Sequence, residues 1–389
     1  MKKHTLAAAA LASLLAIPAP AFADAISDVN AANDALRHGD YDHAIQFLND
    51  AIASGALSND NAAAAYFNRG TAFMNKGQND TAIVDFTQAI ALRAKFPQAY
   101  GMRGNAHLAK RDVDAGIADF QQQLALDPND ADGHSNLGNA YRIKGMNDQA
   151  LAEYSTSLSI KKSPYPYEAR ALVYLAKNQT DLALADLNEA IKLKPDYTAA
   201  LVNRANAYMA QDKYDLAIAD FDAELKYRPG DTIAMVNRAA ALAKIGKTDA
   251  AAQQYAEAAK ANPNNPQPYR TLGDSYMAQK QFADAIGQYD KALAIDPNDP
   301  ATLLNRGACY HNMGKYEKAI ADYTAVIKLT PNDARAYNNR GGAYGASRKL
   351  DLAIADFQMA VKLDPNFEDA KRNLEGATTA KKTGKVIHG

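Results

Sequence analysis

Tryptophan is absent from this chain and cysteine occurs once, at Cys309. A lone thiol closes no internal disulfide, so the fold must hold without a covalent staple. A surplus of charge of one sign is also missing. The 43 lysines and arginines face 44 aspartates and glutamates, which leaves no basic footprint for nucleic acid and no net attraction to an acidic lipid surface. Paired metal-ligand spacings and a glycine-rich phosphate loop are lacking as well. Histidines at 38, 43, 107, 134 and 311 are scattered. Cys309 and His311 lie two apart, a spacing that does not share a helix face. "DPNDADG" from Asp127 follows a calcium loop only as far as Ala131, where an oxygen ligand is required. These absences argue against an enzyme, a metal site and a cofactor.

Long apolar runs are confined to the beginning. "MKKHTLAAAALASLLAIPAPAFADA" carries Lys2 and Lys3, an apolar stretch from Leu6 to Ile17, and small residues at Ala21 and Ala23. That order predicts a cleavable leader over 1–23 with scission after Ala23. A stretch of roughly a dozen apolar residues is too short to span a bilayer, and no other run approaches a membrane helix in length. The expectation is a periplasmic or secreted protein without membrane insertion.

What is present is a beat. A small residue recurs at Gly70, Gly104, Gly138, Ala171, Ala205, Ala239, Gly273, Gly307 and Gly341, in steps of 34 with a single step of 33. A ring or leucine keeps the same time sixteen residues later, from Phe86 and Phe120 to Tyr323 and Phe357, and proline returns at 128, 195, 229, 263, 297, 331 and 365. Within a unit, Gly70 with Phe73 or Gly341 with Tyr344 lies at neighbouring spacing on one helical face. A turn follows, often at glycine (Gly77, Gly145, Gly246, Gly314). A second periodic segment then ends at "DPND" or its equivalent. Each unit therefore reads as two helices. One such hairpin buries too little to stand alone, so neighbours must stack.

The small, aromatic, alanine and proline slots at this period resemble the tetratricopeptide repeat family. The resemblance implies an all-α, right-handed superhelical solenoid of about ten helix-turn-helix repeats. A divergent first repeat occupies 24–62, nine tandem repeats occupy 63–367, a closing helix occupies 368–376, and 377–389 reads as a disordered basic tail. The unit from Ala131 is one residue short and lacks the junction proline, with "KKSPYPY" in its place.

Arginine precedes the small residue at 69, 103, 170, 204, 238, 306 and 340. Sixteen residues on stand Asp85, Asp119, Asp186, Asp220, Gln254, Asp322 and Asp356, whereas the units with Leu137 and Leu272 have Glu153 and Gln288. A ligand site has no reason to track that partner, so the arginine is read as half of an ion pair joining the two helices of its hairpin. Asparagine is a better candidate for binding. It recurs two positions before the small residue, at Asn68, Asn136, Asn203, Asn237, Asn305 and Asn339, and one position after it, at Asn105, Asn139 and Asn206. In this family the first helices line a concave groove, and the resemblance implies that both sets face it. An amide donates and accepts, so a file of amides suits an extended peptide backbone.

Met74, Met209 and Met277 are candidate apolar anchors beside the asparagines. A clamp for a terminal carboxylate, known in the family, would draw on Arg270, Asn305, Arg335 and Asn339, although Asp274 would repel such a ligand. The function expected is an exported adaptor that binds proteins or extended peptides in the cell envelope. An accessory subunit of a cell-wall enzyme and a self-associating scaffold are the rivals.

Overall fold

The computed structural model describes residues 19–383. These form 21 α-helices, and no strand occurs among the described residues. The predicted leader falls largely on residues 1–18, and the end of the basic tail on 384–389, both outside the described residues. The chain divides into two compact units at Pro195.

In the first unit, helix pairs are α1 (Ala19–Arg37) with α2 (Tyr41–Ala53), α3 (Asn59–Asn75) with α4 (Asn79–Leu92), α5 (Pro97–Ala109) with α6 (Val113–Leu126), α7 (Ala131–Ile143) with α8 (Asn147–Ile160), and α9 (Pro164–Ala176) with α10 (Thr180–Leu193). The second unit holds α11 (Thr198–Ala210) with α12 (Tyr214–Tyr227), α13 (Thr232–Lys244) with α14 (Thr248–Ala261), α15 (Pro266–Ala278) with α16 (Phe282–Ile295), α17 (Pro300–Asn312) with α18 (Tyr316–Leu329), and α19 (Ala334–Ala346) with α20 (Leu350–Leu363). It closes with α21 (Glu368–Thr383). The first helix of one hairpin also touches the first helix of the next from α1 to α9 and again from α13 to α19, as α3 does α5 and α17 does α19. The first helices therefore form the inner layer of each stack.

Local chemistry sets these boundaries. Prolines at the first helical positions of α5, α9, α15 and α17 give up an N–H that would have had no partner. Asp130, Asp231, Asp299 and Asp333 cap α7, α13, α17 and α19 through their carboxylates. The turn within a hairpin needs one residue with positive φ. Glycine supplies it at Gly77 or Gly314, but Arg111, Asn178, Asp212, Lys280 and Arg348 adopt the same left-handed backbone, at about 1 kcal/mol each. The missing residue of the 33-step falls in the linker between α8 and α9, which has only 161–163 where α6 and α7 are joined by 127–130.

The core is a run of close approaches between small residues and rings. A Cβ added to Gly70 would stand 2.9 Å from Phe86 Cε1, one added to Gly307 2.7 Å from Tyr323 Cε1, and one added to Gly341 2.8 Å from Phe357 Cε1. Alanines such as Ala82, Ala89, Ala353 and Ala360 are fully buried beside those rings. The closing helix differs from its expected end at 376. α21 runs to Thr383 because Ala370, Ala377 and Ala380 share one buried face against the last hairpin, while Lys371, Arg372 and Glu375 face solvent.

The arginine pairs form at all six positions where aspartate is available. Arg306 donates through Nε and Nη2 to the two carboxylate oxygens of Asp322 at 2.9 and 2.7 Å. The same fork joins Arg69 to Asp85, Arg103 to Asp119, Arg170 to Asp186, Arg204 to Asp220, and Arg340 to Asp356. The structure adds a second role. Nη1 reaches back to the preceding hairpin, from Arg69 to Asn49, Arg103 to Thr87, Arg170 to Ser155, Arg306 to Asp290 and Arg340 to Thr324. Arg238, which meets Gln254 instead of aspartate, turns its Nε to Asp222. Where leucine replaces arginine, Leu137 and Leu272 are buried. The orphaned Glu153 is then taken by His134 at 2.7 Å.

A second ladder runs along the rim of the first unit, from the end of a first helix to the start of the preceding second helix. It pairs Lys76 with Asp42, Lys110 with Asp80, Lys144 with Asp114 at 2.6 Å, and Lys177 with Asp148 at 2.5 Å. In the second unit the lysine positions hold Ile245, Gln279, Met313 and Ser347, and the pairing returns only at Lys381 with Asp351.

Two predictions follow from these buried charges. Asp322 is 8% exposed and Arg306 21%, so removing either partner leaves a mostly dry charge. Arg306→Leu and Asp322→Asn should each cost about 2 kcal/mol, below the ~3–5 of a fully buried pair because the guanidinium keeps some solvent. The double variant should cost less than the sum, as read by urea denaturation and by amide exchange of α17 and α18, and simple additivity would refute the coupling. Glu224 is 0% exposed, with no hydrogen-bond partner for either oxygen; its nearest cation is Arg228 Nη1 at 3.8 Å. Burial first, and then Asp231, push its carboxyl above the ordinary 4.5. The folded chain therefore keeps this proton at pH values where the unfolded chain has lost it, and stability falls as pH rises from about 4.5 through the raised value. Glu224→Gln should be more stable than the parent at pH 7, with the gap closing towards pH 4 in thermal melts.

Candidate functional site

The inner face of each unit presents three positions per first helix: two before the small residue, one after it, and four after it. The asparagines predicted for this face are half-buried, apart from the exposed Asn206. Two of them bond to the first helix of the preceding hairpin. Asn68 donates through Nδ2 to Asn33 Oδ1 of α1 at 2.7 Å. Asn305 donates to Asp274 Oδ1 of α15 at 2.9 Å. In both cases a residue two before the small one meets a polar residue on the first helix of the preceding hairpin; the acceptors, Asn33 and Asp274, lie outside the predicted sets. Asn139 accepts from Arg142 Nη2 at 2.8 Å, and Asn339 accepts a longer bond, 3.4 Å, from Asn338. Asn105 and Asn136 occupy the corresponding pair of slots between α5 and α7, and Asn206 and Asn237 that between α11 and α13. Asn203 lies one turn before Asn206 on α11.

Met74, Met209 and Met277 sit four after the small residue. Each packs one side against a core cluster: Met74 on Ala82, Phe86 and Ala106, Met209 on Ala205, Ala217 and Phe221, and Met277 on Ala285, Tyr289 and Cys309. Their other side remains accessible, since all three are only part-buried. The predicted cations are engaged close to home. Arg270 lies 3.3 Å from Asp299, the N-cap of α17, and also donates to Gln267. Arg335 is exposed and pairs with Asp333, the N-cap of its own helix, at 3.1 Å. Asp274 is the acceptor for both Tyr289 Oη, at 2.7 Å, and Asn305. Burial and that carboxylate together hold the Tyr289 phenol protonated well above its usual range. A terminal carboxylate would meet Asp274 before it met a free cation.

Sequence reasoning passed over a recess at the end of the second unit. A cavity of about 290 Å³ is lined by His311, Asn312, Asn338, Asn339 and Asn373 over the ring of Tyr323. It adjoins a more apolar one of about 240 Å³ bordered by Phe357, Ala346 and Arg372. The signal was available in the register. Gly342 and Gly345 occupy the two inner-face positions at which each of the other eight tandem hairpins carries a side chain, the smallest being Ala240 and Ala243. Burial holds the His311 imidazole below its ordinary protonation range. Among the described residues, no group of three His, Cys, Asp or Glu side chains is placed to hold a metal ion. No described helix is long and apolar enough to cross a membrane.

Comparison with known proteins gives a consistent picture. Sequence profiles described as tetratricopeptide repeat match residues 29–100, 102–165, 168–232, 202–266 and 334–367. A profile described as TPR repeat matches 273–314 and 309–347. No curated protein matches the chain in sequence. Among solved structures, the C-terminal part of a TPR repeat-containing protein from Cytophaga hutchinsonii is similar with a TM-score of 0.52 and 20% identity, over 61% of this chain and 98% of that one. Yeast Tom70 gives a TM-score of 0.44 at 16% identity over 92% and 96% of the two chains. YrrB, described as a TPR protein with an unusual peptide-binding site, gives 0.40 at 22% identity over 46% and 92%.

The Asp274 network yields a test of the register. Asp274→Ala leaves the Tyr289 hydroxyl and the Asn305 amide without an acceptor, which should cost about 1–3 kcal/mol. The effect should appear as faster amide exchange in α16 and α17, with α19 to α21 much less affected. Unchanged exchange in α16 and α17 would show that the network contributes nothing.

Proposed function

Because this chain belongs to the tetratricopeptide repeat family, we propose that it is a non-catalytic adaptor that holds extended protein segments along the inner face of its first helices, in the cell envelope. What supports this reading is the cross-hairpin file of half-buried asparagines on the side where successive first helices meet. Each amide that ties one hairpin to the next still has a second donor or acceptor to offer, and part-buried methionines stand one turn away. Backbone groups of an extended segment are satisfied by such a file with little regard to sequence. The apolar anchors are needed as well, because ordering each peptide residue costs about 1–2 kcal/mol against roughly 0.5–1.5 from each hydrogen bond. Placement in the envelope rests on the leader-like residues 1–23. Self-association through the closing end is disfavoured by the charged outer face of α21.

The test is a pull-down from envelope extract, comparing the parent chain with the triple variant Asn203→Ala, Asn237→Ala and Asn305→Ala. Recovery of bound protein should fall at least tenfold at unchanged helicity. Equal recovery would remove the inner face from consideration. Mass spectrometry of the exported chain should give a first residue of Asp24, and a retained Met1 would overturn the placement.

A further inference from the structure

Three glycines converge on the recess between α17, α19 and α21, and packing demands none of them. Gly341, beside them, is required: a Cβ there would collide with Phe357 at 2.8 Å. A Cβ on Gly342 would meet only His311 Cε1 at 3.8 Å, one on Gly345 only the Ala353 methyl at 3.9 Å, and one on Gly376 nothing within 4 Å. All three lie inside helices, in α19 and α21. There each glycine costs about 1 kcal/mol relative to alanine. Their shared structural effect is to keep the recess open.

The other hairpins act as internal controls. One position after the small residue they carry Thr71, Asn105, Asn139, Leu172, Asn206, Ala240 or Asp274, and four positions after it Met74, Leu108, Arg142, Leu175, Met209, Ala243 or Met277. In the last two hairpins these positions hold Ala308 and His311, then Gly342 and Gly345. In the last hairpin neither position carries a side chain, and the space is left to the cavity; elsewhere only Ala240 and Ala243 come close, and a cavity borders Ala243 too.

The polar wall of the recess is made of four asparagine amides with the His311 imidazole beside them. Asn373 Nδ2 donates to Asn338 Oδ1 at 2.9 Å, Asn338 Nδ2 to Asn339 Oδ1 at 3.4 Å, and Asn312 Nδ2 to the Ala308 carbonyl at 2.8 Å. This relay leaves Asn373 Oδ1 and Asn312 Oδ1 to accept and Asn339 Nδ2 to donate. The imidazole of His311 is kept neutral near pH 7 by burial. Arg372, at the rim, is already paired with Asp369. A carboxylate or an ammonium therefore gains no counter-ion inside, whereas a neutral group that both donates and accepts satisfies the wall. Beyond it, Phe357 and the glycine backbone form an apolar shelf.

We infer that this recess is a specificity pocket for an extended peptide, taking a side-chain carboxamide against the asparagines and the following apolar side chain on the Phe357 shelf. The inference rests on the reading of the inner face as a peptide surface, and it adds a preferred sequence to it. Asn338 and Asn339 are half-buried and Asn312 and Asn373 exposed, so a charged isostere is disfavoured because the amide groups it meets lose a matching partner.

The experiment uses fluorescein-labelled, amidated Ala-Ala-Gln-Leu-Ala-Ala and the same peptide with Glu or Lys in place of Gln, titrated with the full chain at pH 7.5 and followed by anisotropy. The Gln peptide should bind at least fivefold more tightly than either charged peptide. Gly342→Leu, which fills the recess, should weaken it at least tenfold with a melting temperature equal to or above the parent's. Asn373→Leu, which keeps volume but removes the amide, should weaken it to a similar degree. Equal affinity for the three peptides, undiminished binding to both variants, or no binding of any peptide would overturn the pocket. Displacement of the Gln peptide by N,N′-diacetylchitobiose at comparable concentration would reassign the site to an acetamido sugar. The triple asparagine variant separates the two readings. If it loses captured protein while Gly342→Leu captures normally, the inner face stands and the pocket falls.

Discussion

The close contact of a ring or leucine with a small residue on the facing helix, glycine in six hairpins and alanine in three, underlies the rest of this fold. Phe86 against Gly70, Tyr323 against Gly307 and Phe357 against Gly341 leave no room for even one methyl group. That distance fixes how closely the two helices of a hairpin approach, and so where every other side chain on them points. With the spacing set, the arginine before the small residue and the aspartate before the ring come into bidentate register, as Arg306 and Asp322 do at 2.7 and 2.9 Å. The inner-face positions are set by the same geometry. Asn305 reaches Asp274 because both helices are held at the depth their rings allow.

Five arginines, at 69, 103, 170, 306 and 340, work in two directions. Each fork closes its own hairpin, and the remaining Nη1 ties that hairpin to the one before, as from Arg69 to Asn49 or Arg340 to Thr324. Stability in a repeat array is a sum of intrinsic and nearest-neighbour contributions, and here one side chain contributes to both. Between Arg238 and Leu272 this double link weakens. Gln254 stands where aspartate does elsewhere, and Leu272 offers packing in place of charge.

Much of this was legible in the sequence because the repeats control for one another. Period, hairpin architecture and the arginine partner are statements about identity at fixed spacing, and spacing survives folding. What was hidden depends on direction and on empty space. The reach of Arg306 to Asp290 was missed because the acceptor varies among Asn, Thr, Ser and Asp from one hairpin to the next, so no single letter recurs. The closing helix passes 376 to Thr383 because three alanines share a face, a pattern that charged neighbours obscure in a basic segment. Arg270 and Arg335, the arginines a carboxylate clamp would draw on, are each held by an N-capping aspartate that sequence spacing alone does not pair with it. The recess beside His311 is a matter of missing side chains, and glycine in a helix looks like noise until the surrounding walls are in place.

The rim ladder of lysine and aspartate has a mechanical side. Four rungs tie adjoining hairpins of the first unit, from Lys76 with Asp42 to Lys177 with Asp148. The second unit has Ile245, Gln279, Met313 and Ser347 at the same positions. Exposed ion pairs weaken as counter-ions accumulate, so the ionic strength of the surroundings bears more heavily on this ladder in the first unit, with four rungs, than in the second, with one at Lys381 and Asp351.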